Sequence, residues 1–492
     1  MSDLEGSARK LGFGVKLAFG VGAIGEAAYL GMFNTFVTIY YNQAIGLSNT
    51  LIGLAIMLAL IADAITDPFV GLVSDRHRSR LGRRHPFLWA APLPLAIALV
   101  AIFKPPSALL GNDLGLFVWV AVWTIVSRAC VTLFNVPHLA LGGELSKQQH
   151  ERSQLFSANT IFTYLAGSGF AFFAWTFFQG DRVRASDGAM VPGQLDPASY
   201  LPLVLAVCAV ILISIWTCAA GTARAAQRLP QGPADQPRFT LGYFFKTLLR
   251  TLQNRNYLML LCGYFFFMIA SGIYDTLNVF LHTYFWELQP DQIRWFGLVG
   301  APAAILGAVC SPLLMKRFDR KPVMLGSLVG TVLFAQLVVN LRLLGLLPEN
   351  GDPALLPCLL ANAVGFLFSL GVGGVAIYSM IGDVIDENEL ETGLREDGLF
   401  YSARAFFAKA SYSFGHFAAG VMLDLFVRLP FEAVPGELEQ DVLIRMGVLA
   451  GPIMGGSALI ALVIYSRYRL DRARHAQILA QIEARREPAT RP

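Results

Sequence analysis

The stretch LIGLAIMLALIADAITDPFVGLVSDRHRSRLGRR, residues 51–84, begins as a membrane helix and ends as a stop. Its apolar part matches the roughly twenty residues that cross a hydrocarbon core as a helix. The Arg and His cluster that follows is typical of a segment halting at a membrane surface. Within the apolar part stand two acids, Asp63 and Asp67. A carboxylate inside a bilayer is costly and as a rule marks the path of an ion. Four residues apart, the two share one helical face, with Thr66 beside them. Like charges that close in a low dielectric do not both stay ionised without a cation, so the pair binds either a proton or a sodium ion through oxygen ligands. A helix end already in water is the alternative, but GLVSDR still separates the acids from the loop.

Apolar runs of this kind recur over the whole length. Of 492 residues, 55% are hydrophobic and 15% charged, with a mean hydropathy of +0.54, whereas a soluble domain carries about a quarter charged residues. A lone signal peptide does not account for that pattern. Spans are expected near 14–43, 50–74, 86–104, 114–142, 154–178 and 199–222, and again near 257–285, 294–315, 322–346, 353–382, 398–427 and 443–466. The runs are long and continuously apolar, which favours helices over a barrel of alternating ten-residue strands. The fold class is therefore an all-α membrane protein of about twelve transmembrane helices. Its organisation is an N-terminal bundle over 1–222, a cytoplasmic middle loop over 223–256, a C-terminal bundle over 257–466 and a basic cytoplasmic tail over 467–492.

The connections DRHRSRLGRRH, RAAQRLPQGPADQPRF and KRFDRK are basic, whereas GLSN and KPPSALLGND on the other side are not. By the positive-inside rule both termini are cytoplasmic, in a bacterial inner or plasma membrane. The net charge of +4 is thus mainly a topology signal, and no nucleic-acid partner is expected. The tail reads as a solvated stop, with a basic amphipathic helix on the lipid surface as the alternative. All six cysteines lie in apolar runs without CxxC spacing and read as core thiols. No phosphate loop of the form GxxxxGK followed by Ser or Thr is present, so the chain carries no ATPase of its own. No enzyme activity and no cofactor are expected; the expected partners are a small-molecule substrate and the lipid bilayer, and the expected functional state is a monomer.

GLVSDRHRSRLGRRHPFL at 71–88 and SPLLMKRFDRKPVMLG at 311–326 echo one another: a helix end, a mixed acidic and basic cluster, then a new apolar run. Their positions fit a six-plus-six duplication, and paired halves are a transporter architecture. The two loops resemble the repeated loop signature of the major facilitator superfamily. DAITDPFVGLVSDRHRSRLGRR resembles the second-helix signature of the glycoside, pentoside and hexuronide to cation symporters, the melibiose permease family. KLAFGVGAIGE at 16–26, FNVPHLALGGELSKQQHERSQL at 134–155 and GDVIDENELETGLREDGLFYS at 382–402 extend the likeness along the chain.

The resemblance implies two pseudo-symmetric six-helix bundles and alternating access. It implies that Asp63 and Asp67 are cation-site carboxylates, that Thr66 stands where an Asn is common, and that Thr132 contributes to the same site. Lys409, deep in the eleventh span, matches a lysine placed between sugar and cation sites, whereas Arg404, nearer the helix end, is read as snorkelling to the surface. The galactoside contacts of the family are replaced here by Ala27, Asn135, Thr160 and Gly374. That implies coupling without melibiose as the substrate.

Glu26 precedes Ala27, and Arg128 lies four residues before Thr132 and seven before Asn135, on one helical face. Arg128 either binds a carboxylate or phosphate bidentately or neutralises Glu26. The candidate substrate residues are Glu26, Arg128, Asn135, Thr160 and Lys409; His138, Asp275 and Asn278 are further polar candidates, with packing as the alternative for His138. For gating, Asp75 and Arg83 in the first Arg-rich loop are expected to work with Asp383 and Asp386 near the tenth-helix end, Arg83 bracing against those acids.

The reading is Na+- or H+-coupled symport of a sugar, glycoside or sugar acid. No metal site is expected beyond a possible Na+ at Asp63 and Asp67. Transport of an amphiphile such as a lysophospholipid is the alternative, since the related sodium-dependent lysophosphatidylcholine symporters also keep the acids and the lysine. A non-transporting receptor or scaffold gives no reason for Asp63, Asp67 and Lys409 inside the membrane.

Overall fold

A computed structural model of the chain describes residues 11–146, 148–183, 188, 190–227, 251–393 and 397–486. Most of the expected middle loop, 228–250, lies outside the described residues. The helices are α1 Phe13–Ile39, α2 Asn49–Arg76, α3 His85–Ala90, α4 Pro92–Phe103, α5 Asp113–Leu145, α6 Gln149–Phe177 and α7 Tyr200–Ala226, then α8 Arg255–Phe280, α9 Pro290–Phe318, α10 Arg320–Leu343, α11 Leu355–Thr392, α12 Asp397–Met422, α13 Gln440–Val448, α14 Met454–Ser466 and α15 Arg472–Arg486. The third expected span is two helices in line, α3 and α4, meeting at Pro92, because proline removes an intrahelical N–H donor. Among the described residues eleven helical segments are long and apolar enough to cross a membrane. The 26-residue α12 stands in the place of the eleventh expected span; Arg404, Lys409 and its Ser and Tyr residues make it more polar than the other eleven. A two-residue hairpin, Arg182–Val183 with Met190–Val191, forms the one sheet among the described residues.

The chain divides into two compact units, Met1–Leu47 with Leu58–Pro237 and Ser48–Met57 with Arg238–Pro492. In the first, α1 extends through a π-helical stretch, Tyr40–Ile45. Its end is fastened to that of α4 by Tyr40 Oη donating to Phe103 O at 2.8 Å and Tyr41 Oη donating to Ile102 O at 2.6 Å. Lipid gives helices no hydrophobic reason to associate, so close backbone approach over small residues must hold them. The second unit shows this most plainly. A Cβ at Gly307 of α9 would meet Phe368 O of α11, and one at Gly371 of α11 would meet Ala304 O of α9. Gly371→Leu should therefore separate α9 from α11, an overpacking cost of about 3 kcal/mol. The expected result is a lower thermal midpoint and loss of the monodisperse gel-filtration peak; an unchanged profile would remove this packing role.

The tail does not end as a solvated stop. Ile478 and Ile482 of α15 are buried with Tyr257, Ile385 and Tyr468 in the core of the second unit. Arg472 N donates to Asp319 Oδ2 at 3.0 Å and its Nη2 to Met315 O at 2.6 Å, while Arg485 donates to Leu390 O. The basic face is spent on orphan carbonyls at helix ends, which explains why a sequence readable as a surface amphipathic helix folds onto protein instead.

Candidate functional site

The two acids of α2 meet one hydroxyl of α5. Thr132 Oγ1 lies 2.6 Å from Asp63 Oδ1 and 2.9 Å from Asp67 Oδ1. Asp63 is buried and Asp67 half-buried. Helical spacing puts both carboxylates on the face that α5 covers. A hydroxyl has a single proton to donate, so Thr132 satisfies one carboxylate at a time. Thr66 adds nothing there through its hydroxyl proton, which it gives to the backbone at Asp63 O, 3.1 Å away. Among the described residues no group of three or more His, Cys, Asp or Glu could hold a metal ion. Two carboxylates with a hydroxyl form a hard, oxygen-only donor set, suited to Na+ or a proton rather than a transition metal.

One turn before Thr132 on α5, Arg128 is buried at 8% exposure. Its guanidinium carbon lies 5.0 Å from the Phe33 ring centre and 5.9 Å from that of Tyr29, both on α1, and its Nε has no hydrogen-bond partner among the described residues. Tyr29 is held in turn by a 2.7 Å bond between its hydroxyl and Ser127 Oγ. Glu26 accepts from Asn135 Nδ2. Arg128 thus rests against aromatic faces, and the amide of Asn135 sits on Glu26. Cation–π contact stabilises a desolvated arginine while leaving its in-plane N–H groups for an anion.

His138 is stacked between Phe19 and Phe134, centroids 4.2 and 4.9 Å away. Its Nε2 lies 3.0 Å from Asn159 Oδ1, which makes it a packing residue. Thr160 is exposed on α6, and Lys409 is half-buried on α12. Arg404 does not reach for the surface: its guanidinium donates to Tyr264 Oη at 2.7 Å and to Tyr378 Oη at 3.0 Å.

The duplicated loops build the same device in each unit. In the first, Arg84 donates to Ser74 Oγ at 2.6 Å and pairs with Asp75 and, at 2.7 Å, with Glu144; Arg83 pairs with Glu144 at 2.8 Å. In the second, Arg320 pairs with Asp383 at 2.7 Å. His475 of α15 accepts from Arg320 at Nδ1, 3.3 Å away, and donates from Nε2 to Asp386 at 2.9 Å. Each time, an arginine after the second helix of a unit grips an acid at the far end of the fourth. Arg83 and Asp383, expected to brace against one another, are each engaged within their own unit. Arg84, Glu144, Arg320 and His475 were missed in the sequence, although the Asp–Arg echo of the loops and the glutamate in GGELS were legible signs.

Membrane-length helices in two units, an acid pair inside the second of them and a repeated arginine–acid device describe a secondary transporter. The chain belongs to the MFS/sugar transport protein family, whose model matches residues 18–472. It is 26% identical to the uncharacterized symporter sll1374 of Synechocystis sp., over 98% of each chain. It is also 26% identical to the putative glycoside/cation symporter YagG of Escherichia coli, over 83% of this chain and 82% of that one, and 24% identical to a putative sulfoquinovose importer of Salmonella typhimurium, over 99% and 96%. The solved D-xylose-proton symporter superposes with a TM-score of 0.61 at 14% identity, covering 93% of this chain and 98% of that one. That likeness is one of fold.

Proposed function

We propose that the protein is a cation-coupled symporter, driven by Na+ or H+, for a sugar or sugar acid carrying hydroxyls and one negative charge. The observation that carries this is the Thr132 hydroxyl held between Asp63 and Asp67 at 2.6 and 2.9 Å: two carboxylates and a hydroxyl drawn together within the first unit make an oxygen-only donor set suited to a proton or Na+, and an ion bound there would favour the conformation that assembles it. The anionic preference is supported by Arg128, a buried guanidinium whose Nε has no partner among the described residues. Relatives named for a glycoside and for sulfoquinovose, a sugar with a sulfo group in its name, fit the same chemistry. The distribution of basic loops supports an inner-membrane protein with both termini in the cytoplasm.

The test is uptake into proteoliposomes under imposed Na+ or H+ gradients, across neutral glycosides, hexuronides, sulfonated sugars and lysophospholipids. Gradient-driven accumulation of an anionic sugar supports the reading. Accumulation of lysophospholipid alone, or none under either gradient, defeats it. Arg128→Ala should weaken the best anionic substrate about tenfold or more, as loss of a charged hydrogen bond does, yet leave a neutral glycoside little changed. Equal losses for both would make Arg128 a structural residue.

A further inference from the structure

The second unit contains a cavity of its own. About 320 Å³ in volume, it lies among α8, α10, α11, α12 and α14, within the range of about 300–1,000 Å³ usual for ligand pockets. A narrow extension of about 60 Å³ shares its wall at Tyr274, Ala335, Phe366 and Met454. Most of the lining is apolar or aromatic, and Tyr274 and Phe366 pack with ring centres 4.9 Å apart.

Several polar groups in this lining have already given a proton to the backbone or to a neighbour and offer acceptors. Ser271 donates its hydroxyl proton to Phe267 O at 3.0 Å, and Thr331 gives its own to Ser327 O at 2.9 Å. Gln336 Nε2 is turned to Ala450 O. Tyr412 donates to Asp275 Oδ2. In the extension, Asn362 spends Nδ2 on Phe334 O at 2.9 Å, leaving a buried Oδ1 without a partner, and the buried His282 has an unpartnered Nδ1. Tyr274, which has no hydrogen-bond partner among the described residues, and Asn278 and Trp286 in the extension carry donors as well. Asp275 has one hydrogen-bond partner among the described residues, Tyr412, whereas a carboxylate offers about four acceptor positions. An intramembrane carboxylate with one donor among the described residues, facing a largely apolar chamber, calls for a guest that brings both donors and positive charge.

We propose that this cavity binds a small amphiphilic amine, its ammonium on Asp275 and its apolar body along Phe366, Leu367 and Met454. About 150 Å³ suffices to hold a benzene ring, so this chamber takes a ring with a short chain or a medium-length alkyl group. The site lies in the second unit, whereas the cation cluster belongs to the first, and it does not depend on the coupling reading.

The test is photolabelling of the intact protein in lipid nanodiscs, which avoids detergent as a competing amphiphile. The probes are a medium-chain alkylamine bearing a diazirine and the alcohol of the same length, with cross-linked peptides mapped by mass spectrometry. The amine should label α8, α11 and α14 at the lining residues. Its labelling should fall at least tenfold in Asp275→Asn and be abolished in Ala335→Trp, which fills the chamber, while the alcohol labels weakly and is little affected by Asp275→Asn. Absence of any cross-link to the lining in the unaltered protein would overturn the proposal without reliance on a variant. So would equal labelling by amine and alcohol that persists in Asp275→Asn. A transport assay that fails to find a symported sugar would leave this result untouched.

Discussion

The double variant Asp63→Asn, Asp67→Asn should move substrate only down its gradient. In the unaltered protein the single Thr132 proton serves two carboxylates in turn, 2.6 and 2.9 Å away, and on the proposed coupling an ion entering with the substrate adds to the charge balance of the pair. A carboxamide brings its own N–H donors and no charge, so two of them with Thr132 form a closed network that needs no cation. Loss of coupling is then loss of the whole driving force. A potential of ~100 mV is worth ~2.3 kcal/mol for each charge moved, or roughly a fifty-fold concentration ratio at ~1.4 kcal/mol per decade. That ratio should collapse to equilibration, while counterflow exchange of substrate, which requires no net ion movement, survives. Proteoliposomes under an imposed potential measure both. Concentrative uptake at the unaltered rate would remove Asp63 and Asp67 from coupling.

Removing two partners of the Arg84 cluster together should cost less than the sum of removing each. Arg84 is 5% exposed and bonds Ser74, Asp75 and Glu144. Breaking a buried pair strands a desolvated charge at about 3 kcal/mol or more, whereas replacing both partners by apolar residues of similar volume is near neutral. Arg84→Met alone should lower the thermal midpoint, although Arg83 still holds Glu144, because Ser74 and Asp75 lose their partner; Glu144→Met should lower it less because Asp75 still holds Arg84, and the double variant should lose less than the sum of the two. A double-mutant cycle reads the coupling directly. Strict additivity would reduce the cluster to independent surface pairs.

The span pattern, the fold class and the duplication were legible because lipid admits few solutions: twenty apolar residues become a helix, and basic residues mark its stop. Asp63 and Asp67 stood out for the same reason, since an acid in such a run is costly, and the sequence already put them on one helical face. Thr132 entered through family resemblance and meets both acids. What remained hidden depended on which of several polar neighbours a residue would choose. Nothing in the local sequence decides whether Arg128 turns to Glu26 or to the rings of Tyr29 and Phe33, because helix packing sets those distances. Arg83 likewise meets Glu144, about sixty residues away in sequence, and no periodicity carries such a pairing. The tail misled for a different reason. Ile478 and Ile482 lie four apart on an otherwise polar helix, a pattern that fits a lipid surface and a protein groove equally well.

The docked helix α15 bears on how such proteins can exchange their halves. His475 joins Arg320 to Asp386, and Ile478 and Ile482 fill a core built by α8 and α11. Recombination between relatives with its crossover at 467–471 would thus unite a second unit with a tail shaped for another, leaving Arg320 and two acids facing an unmatched side chain. The tail and the second unit form a single heritable module, and residues at 475, 478 and 482 should change in step with those at 320, 383 and 386 rather than drift as surface positions do.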